Sequence, residues 1–136
     1  MTETKNLKMA RKTGMMKNNG KVNVLGTEYT IEIHKVSEDE TLSKNSYAGY
    51  CCCDIPLIVI ADLNEKEHFE FRNEKEKENY FKACLRHEIV HAFLNESGLK
   101  DNFEHANRMG HEETIIDWFA IQFPKILKAY QEAGAL

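Results

Sequence analysis

The stretch Leu85-Arg86-His87-Glu88-Ile89-Val90-His91-Ala92-Phe93-Leu94 decides how this chain folds, because it combines a helical pattern with three polar side chains. It lies inside a segment whose pattern predicts one helix from about Glu74 to Ser97, with Gly98 as the residue that ends it. Apolar residues cover nearly every side of its second half, and a helix of that kind is expected to be buried. The sequence therefore predicts a central helix in the core of the domain.

Three side chains of this helix have the spacing H-E-x-x-H. His87 and His91 are four residues apart, so both imidazoles lie on one face and can bind one metal ion. Glu88 lies about 100° round the helix, near the metal without binding it, where it can take a proton from a metal-bound water. The alternative is that all three are hydrogen-bonded helix residues near the surface. Burying them without partners would be costly, which favours the metal site.

A catalytic zinc site takes a third ligand from the protein and leaves the fourth position for water. A metzincin-type site needs Gly at position 94 and His at position 97, so Leu94 and Ser97 exclude that class. Glu113 is the main candidate for the third ligand. Its competitors are Glu112, His111 and His105. Either of these histidines could instead donate a hydrogen bond to an oxyanion.

A last helix is predicted from about Glu112 to Ala133, and Pro124 inside it predicts a kink or a break. Its inward-facing stripe is predicted to contain Ile116, Ala120, Phe123 and Leu127. Asp117 lies one turn after Glu113 on the same face. There it could accept the outer N–H of a ligand histidine and fix the tautomer of that ring.

The strands precede the central helix in the sequence. Residues from Val22 to Val36 alternate between apolar and polar, with a turn at Gly26-Thr27, as in half-buried strands. Residues 37–50 are polar and are predicted to form a loop. The β-branched run from Ile55 to Ala61 predicts another strand, and Pro56 places it at a strand start or on a sheet edge.

Length and charge divide the chain into a leader and one domain. The 136 residues suffice for a single domain, and no stretch reaches the ~18 apolar residues of a membrane helix. Residues 1–21 carry six Lys/Arg and one acid, whereas residues 22–136 carry twelve and twenty-one. The leader has no secretory apolar run, so we expect a basic, flexible leader, an acidic domain at 22–136 and a cytoplasmic protein. The acidic body also argues against nucleic-acid binding by the domain, which leaves only the leader for that role.

The cysteines do not indicate a structural scaffold. Cys51, Cys52 and Cys53 are consecutive and Cys84 stands apart, which fits neither a disulfide framework nor a zinc knuckle. We interpret them as small apolar strand residues.

The sequence from Leu85 to Leu94, followed by Glu113-Thr114-Ile115-Ile116-Asp117-Trp118-Phe119-Ala120, resembles the small zinc metallopeptidases of phages and prophages. These are similar to the repressor-cleaving (ImmA/IrrE-like) family and its radiation-response relatives, which pair an HExxH helix with a helix of the form E-x-x-x-[D/N]-x-F-A. The segment from Tyr47 to Cys51 is similar to the stretch before the edge strand of that family. The resemblance covers roughly residues 45–127.

The resemblance implies a compact, zincin-like α+β fold in which a small sheet packs on the HExxH helix and its edge strand follows the cleft. It implies that His87, His91 and Glu113 bind Zn²⁺ and that Glu88 is the general base. The expected function is zinc-dependent hydrolysis of a protein or peptide substrate in the host cytoplasm, with the strand at 55–61 holding the substrate extended. The cysteine triplet departs from the family pattern. The sequence also shows no helix-turn-helix domain of the kind that some relatives use to find their targets. The resemblance therefore does not identify the substrate.

Two other functions compete with hydrolysis. The same site could hold zinc in a non-catalytic phage regulatory or assembly module that binds a protein or peptide. Alternatively, the chain could be a nucleic-acid-associated protein that binds nucleic acid through the leader at 1–21.

Overall fold

The computed structural model describes residues 20–52, 54–99 and 113–136, without the side chains of residues 113–117 and 120. Within these ranges the strands are β1 Lys21–Val24, β2 Thr27–His34, β3 Gly49–Cys51 and β4 Leu57–Ala61. The α-helices of the same ranges are α1 Glu40–Asn45, α2 Glu74–Glu96 and α3 Glu113–Ala133, and a 3-10 turn at Val36–Glu38 precedes α1. The strands form one mixed sheet, which confirms the predicted α+β class.

The first two strands form a hairpin, and its turn lies one residue before the predicted turn at Gly26-Thr27. Val24 pairs with Thr27, and the two residues between them, Leu25 and Gly26, both have positive φ angles of 51° and 94°. Two left-handed residues match the twist of the flanking strands, as in type I′ hairpins. Alternate residues point into the core, so the period-two pattern is confirmed. The buried ones are Val22, Val24, Tyr29 and Ile31.

The last strand of the sequence lies inside the sheet. The strand order is β1-β2-β4-β3, with β4 parallel to β2 and antiparallel to β3. The prediction that 55–61 is an edge strand is therefore wrong, and the alternative reading of Pro56 as a strand start is correct. Pro56 lacks only the N–H, and its carbonyl accepts a hydrogen bond from Thr30 at 3.0 Å. The described edge next to β4 is β3.

The predicted loop at residues 37–50 is wrong, since it contains α1 and β3. The Asp39 side chain caps α1 by accepting a hydrogen bond from the Leu42 N–H at 3.1 Å. Leu42 is fully buried and anchors the short helix to the core. Six helical residues and three strand residues are too few to produce a readable period.

Helix α2 has the predicted bounds, but only one of its faces packs against the rest of the protein. Asn73 caps its start by accepting from the Glu76 N–H, and Gly98 has the left-handed φ of 78° that follows a helix end. Its apolar face packs against the sheet and α3, whereas His87 and His91 are exposed. The predicted burial on every side is therefore wrong. The buried apolar residues are Phe81, Leu85, Ile89, Ala92 and Phe93.

Helix α3 continues through Pro124 without a break. The predicted inward stripe is wrong where it can be assessed, because Phe123 and Leu127 are exposed. Small residues allow α3 to pack closely on α2 and β1, so alanines rather than large apolar residues mark the inner face. The buried residues of α3 are Trp118, Ile126, Ala129 and Ala133. The described helices include none that is both long enough and apolar enough to cross a membrane.

Candidate metal centre

The two histidines of the motif lie side by side on the exposed face of α2. Their Nε2 atoms are 3.1 Å apart, and the ring planes meet at 64°. Two nitrogens bound to one tetrahedral zinc ion at about 2.0–2.1 Å would lie roughly 3.3 Å apart. The same contact is a hydrogen bond between the two rings, whose donor depends on their tautomers. The pair is therefore already close to the spacing that a shared ion requires.

The protonation of His91 favours metal binding. The ring of His91 is partly desolvated although the residue is exposed, and this lowers the pKa of His91 below its ordinary value; the neighbouring His87 lowers it further. A histidine must be neutral to offer its lone pair to a metal. At neutral pH His91 is thus in the form that a ligand needs.

Glu88 lies on a different face of the helix from the histidines and is buried, with 7% of its surface exposed. Burial raises the pKa of Glu88, and the charge of His87 only partly opposes that shift. A carboxyl group with a raised pKa is suited to accept and return a proton near neutral pH. Glu88 is thus separate from the histidine pair and has the properties of a proton carrier.

Gly49 allows the edge strand β3 to approach Glu88. A Cβ atom at Gly49 would lie 3.5 Å from Glu88 Cγ and 2.8 Å from the Val59 carbonyl oxygen. The second distance is shorter than real contacts allow, and a backbone oxygen inside the sheet has little freedom to shift. Glycine at this position therefore allows β3 to pack closely on β4, at the part of the sheet edge that lies beside Glu88.

The candidate for the third ligand, Glu113, has no described side chain. Glu113 begins α3, and the side chains of Glu113 and Asp117 lie outside the described part of the structure. Trp118 donates a hydrogen bond to Ser97 Oγ at 3.1 Å, which fixes α3 near the C-terminal end of α2. His91 is about 9 Å along the helix axis from Ser97, so this bond alone does not bring Glu113 to the histidines.

Among the side chains that the structure does describe, no group of three His, Cys, Asp or Glu forms a metal cluster. The competitors for the third position, Glu112, His111 and His105, lie outside the described residues, as do Cys53 and residues 1–19. Of the described cysteines, Cys51 ends β3, Cys52 follows that strand and Cys84 lies in α2, so the interpretation as strand residues is wrong for Cys52 and Cys84. Cys51, Cys52 and Cys84 form no disulfide with each other.

A polar network behind the edge strand is absent from the sequence predictions. Asp39 Oδ2 lies 2.6 Å from His34 Nδ1 and accepts a hydrogen bond from the Tyr50 hydroxyl at 2.8 Å. The other ring nitrogen of His34 lies 2.7 Å from Glu32 Oε2. Tyr50 is the middle residue of β3, so the network fixes this strand from the side opposite Glu88. The available signal was Asp39 itself, an N-cap residue type placed before a short helix.

Comparison of the chain with protein-family models, curated proteins and solved structures finds no match.

Proposed function

We propose that the chain is a zinc-dependent metallopeptidase of zincin-like fold, with His87, His91 and Glu113 as ligands and Glu88 as general base. The observation that carries the proposal is the 3.1 Å separation of the two Nε2 atoms on an exposed helix face, next to a buried glutamate. A surface pair of histidines alone would have no need of a buried carboxyl group beside it.

Glu88 and Gly49 would each contribute to this mechanism. Bound zinc would polarise the scissile carbonyl and lower the pKa of water, as in other zinc hydrolases. Glu88 accepts a proton from the attacking water and returns it to the leaving amine. Its raised pKa makes both transfers feasible near neutral pH. Gly49 lies beside Glu88 and allows the edge strand to pack closely on β4.

The outer edge of β3 offers a place for the substrate backbone. Ala61 N–H donates to the Ala48 carbonyl at 2.8 Å, and Cys52 N–H donates to the Leu57 carbonyl at 2.9 Å. Hydrogen-bonded and non-hydrogen-bonded pairs alternate in an antiparallel ladder, so the Gly49–Ile60 pair between them is non-hydrogen-bonded. The N–H and C=O of Gly49 therefore point away from β4, and an extended peptide can add there as a further strand. This replaces strand 55–61 in that role.

The decisive experiment compares Glu88→Gln with the wild-type protein, both loaded with zinc. We expect the variant to retain zinc and to lose peptide hydrolysis by about 10²–10⁴-fold, because it lacks the proton acceptor. Cleavage products of a mixed peptide library, identified by mass spectrometry, measure this activity without a known substrate. A variant that cleaves as fast as the wild type would disprove the mechanism.

Metal content tests the ligands separately from catalysis. We expect about one zinc ion per wild-type chain and its loss in His91→Ala and Glu113→Ala, as measured by elemental analysis after dialysis. His68→Ala is the matched control, since His68 is an exposed histidine outside the site. If Glu113→Ala retains the metal, Glu113 is not a ligand. If the wild type holds no metal, the proposal fails.

A non-catalytic, zinc-holding module is the second candidate, and the surface of α3 favours it. Phe119 and Phe123 lie one turn apart on one face of this helix, and each is more than half exposed. Clustered apolar side chains on a surface often mark a protein-binding site. In that case Glu88→Gln would change neither the zinc content nor the binding of a protein partner.

A further inference from the structure

Three aromatic side chains form a row at the N-terminal half of α2. Phe69 and Phe71 stack with their ring centres 6.5 Å apart, and Phe71 contacts Tyr80 with the centres 5.5 Å apart. All three rings are partly accessible, and Tyr80 is 41% exposed. Both phenylalanines also line an open groove of about 670 Å³ together with Leu63. The row is therefore an accessible aromatic surface with room beside it.

This aromatic row continues the helix stripe that carries the histidines. Tyr80, Cys84, His87 and His91 are spaced i, i+4, i+7 and i+11, which places them on one face of α2. Tyr80 and Cys84 are one turn apart along that face. A peptide that lies over the histidine pair and follows the helix towards its N-terminus therefore reaches Tyr80.

The edge strand determines which half of a peptide lies over the row. Gly49 is next to Glu88, and the Cys51 sulfur lies 3.7 Å from Asn95 Nδ2, so β3 and α2 run in the same direction. Antiparallel pairing is the more stable per residue, and a peptide added in that way runs opposite to α2. Its residues after the scissile bond then lie over the N-terminal half of the helix.

The distance along α2 between Tyr80 and His87 indicates which residue of the peptide lies over the aromatic row. Tyr80 precedes His87 by seven residues, or about 10.5 Å of helix. An extended peptide advances about 3.3 Å per residue, so the row lies about three residues beyond the scissile bond.

We propose that Phe69, Phe71 and Tyr80 form a specificity subsite for an aromatic side chain about three residues C-terminal to the scissile bond of a peptide substrate. The subsite rests on the proposed peptidase function and on the addition of the substrate to β3. Offset and edge-to-face contacts between aromatic rings give it a preference over aliphatic side chains of similar size.

The test uses the full-length zinc-loaded protein and a library of peptides with randomised positions on both sides of the cut. For wild type, sequencing of cleavage products should show aromatic residues enriched about three- to tenfold at the third position after the cut. Tyr80→Ser should reduce that enrichment to near unity while cleavage itself persists. Ile121→Ser, which alters a large apolar residue on α3 with 61% of its surface exposed, should leave the enrichment unchanged.

A variant with a charged side chain at position 80 distinguishes loss of the subsite from poor folding. Tyr80→Arg should replace the aromatic preference by a preference for Asp or Glu at the same position, a gain that only a folded protein can show. Unchanged selection in both Tyr80 variants, or no aromatic selection in the wild type, would overturn the subsite even if cleavage proceeds normally.

Binding separates failure of the subsite from failure of the peptidase function. The zinc-loaded Glu88→Gln protein is used to capture the same library, and the retained peptides are sequenced. Aromatic selection in this capture that Tyr80→Ser abolishes, without any cleavage by the wild type, would support an aromatic-binding site at Tyr80 and overturn both the peptidase proposal and the position of that site relative to a scissile bond. Capture without aromatic selection would overturn the subsite, and neither capture nor cleavage would overturn both.

Discussion

Asp39 shows how single residues set the geometry around the candidate site. Burial alone would raise the pKa of Asp39, but hydrogen bonds from His34, Tyr50 and the Leu42 N–H outweigh it and lower the pKa. Burial would likewise lower the pKa of His34, yet its hydrogen bonds to Asp39 and Glu32 raise it. The two groups therefore favour the charged pair in the folded state. This pair holds Tyr50, and with it the middle of the edge strand.

These shifts predict a window of maximal stability. The contribution of Asp39 is present above its unfolded pKa of about 3.9 and is lost as the pH falls through its lower folded value. The contribution of His34 is present below its unfolded pKa of about 6.5 and is lost as the pH rises through its higher folded value. The pair should stabilise the fold most between about pH 4 and 6.5.

Asp39→Asn should lower the free energy of unfolding by about 1–3 kcal/mol inside this window, because buried donors lose a charged acceptor. The loss should shrink as the pH falls below the unfolded pKa, because protonation of the wild-type carboxylate then removes the difference between the two proteins. Urea unfolding at pH 3, 6 and 9 measures both effects. Glu40→Gln removes the same charge from the exposed neighbour, whose side chain is 78% accessible, and should change stability far less. An equal loss in both variants would refute the role of the network.

At the scale of elements, the contact between β3 and α2 controls the candidate site. Gly49 lies where the strand, the Val59 carbonyl and the Glu88 side chain meet. A side chain there must displace the strand from the sheet or from the helix. The position therefore links the integrity of the sheet edge to the placement of the proton carrier.

Gly49→Ala should cost about 1–3 kcal/mol of unfolding free energy through overpacking. If the proposed function is correct, it should also reduce hydrolysis, since it shifts the strand that flanks Glu88. Gly26→Asn is the control, because a Cβ atom at Gly26 meets nothing within 4 Å and Asn tolerates its positive φ. We expect less than about 1 kcal/mol there. Unfolding by urea compares the two, and a smaller cost at Gly49 than at Gly26 would contradict the close contact.

Long elements were predictable from sequence, and short ones were not. The bounds of α2 followed from its apolar pattern and Gly98, and the hairpin followed from alternation around Gly26. The six residues of α1 and three residues of β3 depend instead on the Asp39 cap and on pairing with β4. For α3, large apolar residues misled the prediction, because Ala129 and Ala133 form the close contact while Phe123 faces outward.

In the candidate site, too, features set by local sequence were predictable and features set by tertiary contacts were not. The spacing of His87 and His91 predicted that their imidazoles would meet, and their Nε2 atoms lie 3.1 Å apart. The role of Gly49 could not be predicted, because it depends on a tertiary contact between residues far apart in sequence. The same holds for the network of His34, Asp39 and Tyr50, in which only the cap of α1 is local.

At the scale of the whole molecule, the histidine pair offers a link between metal binding and stability. Both rings are exposed on α2, so an ion can reach them without unfolding the core. An ion that binds only the folded state stabilises it by about 2.7 kcal/mol at one hundred times its dissociation constant. Zinc bound at this small surface should therefore raise the free energy of unfolding of the whole domain.

We expect zinc to raise the melting temperature of the wild type by about 10 °C at that excess, and a chelator to reverse the shift. His87→Ala should abolish the response, because it removes one of the paired nitrogens. His68→Ala should respond like the wild type. Differential scanning calorimetry with and without zinc measures the effect, and an unchanged response in His87→Ala would exclude the pair as the binding site.

The order of the strands has a consequence for how the fold assembles. Because β2 and β4 are parallel, the chain must cross over between them, and the crossing segment contains β3 itself. The hairpin of β1 and β2 can form early from local contacts, whereas β3 has no sheet neighbour until β4 is in place. The strand beside the candidate site should therefore be the last to join the sheet and the first to leave it. In native-state hydrogen exchange, the Tyr50 amide should exchange faster than the amides of Ile31 or Val59, which lie in strands paired on both sides.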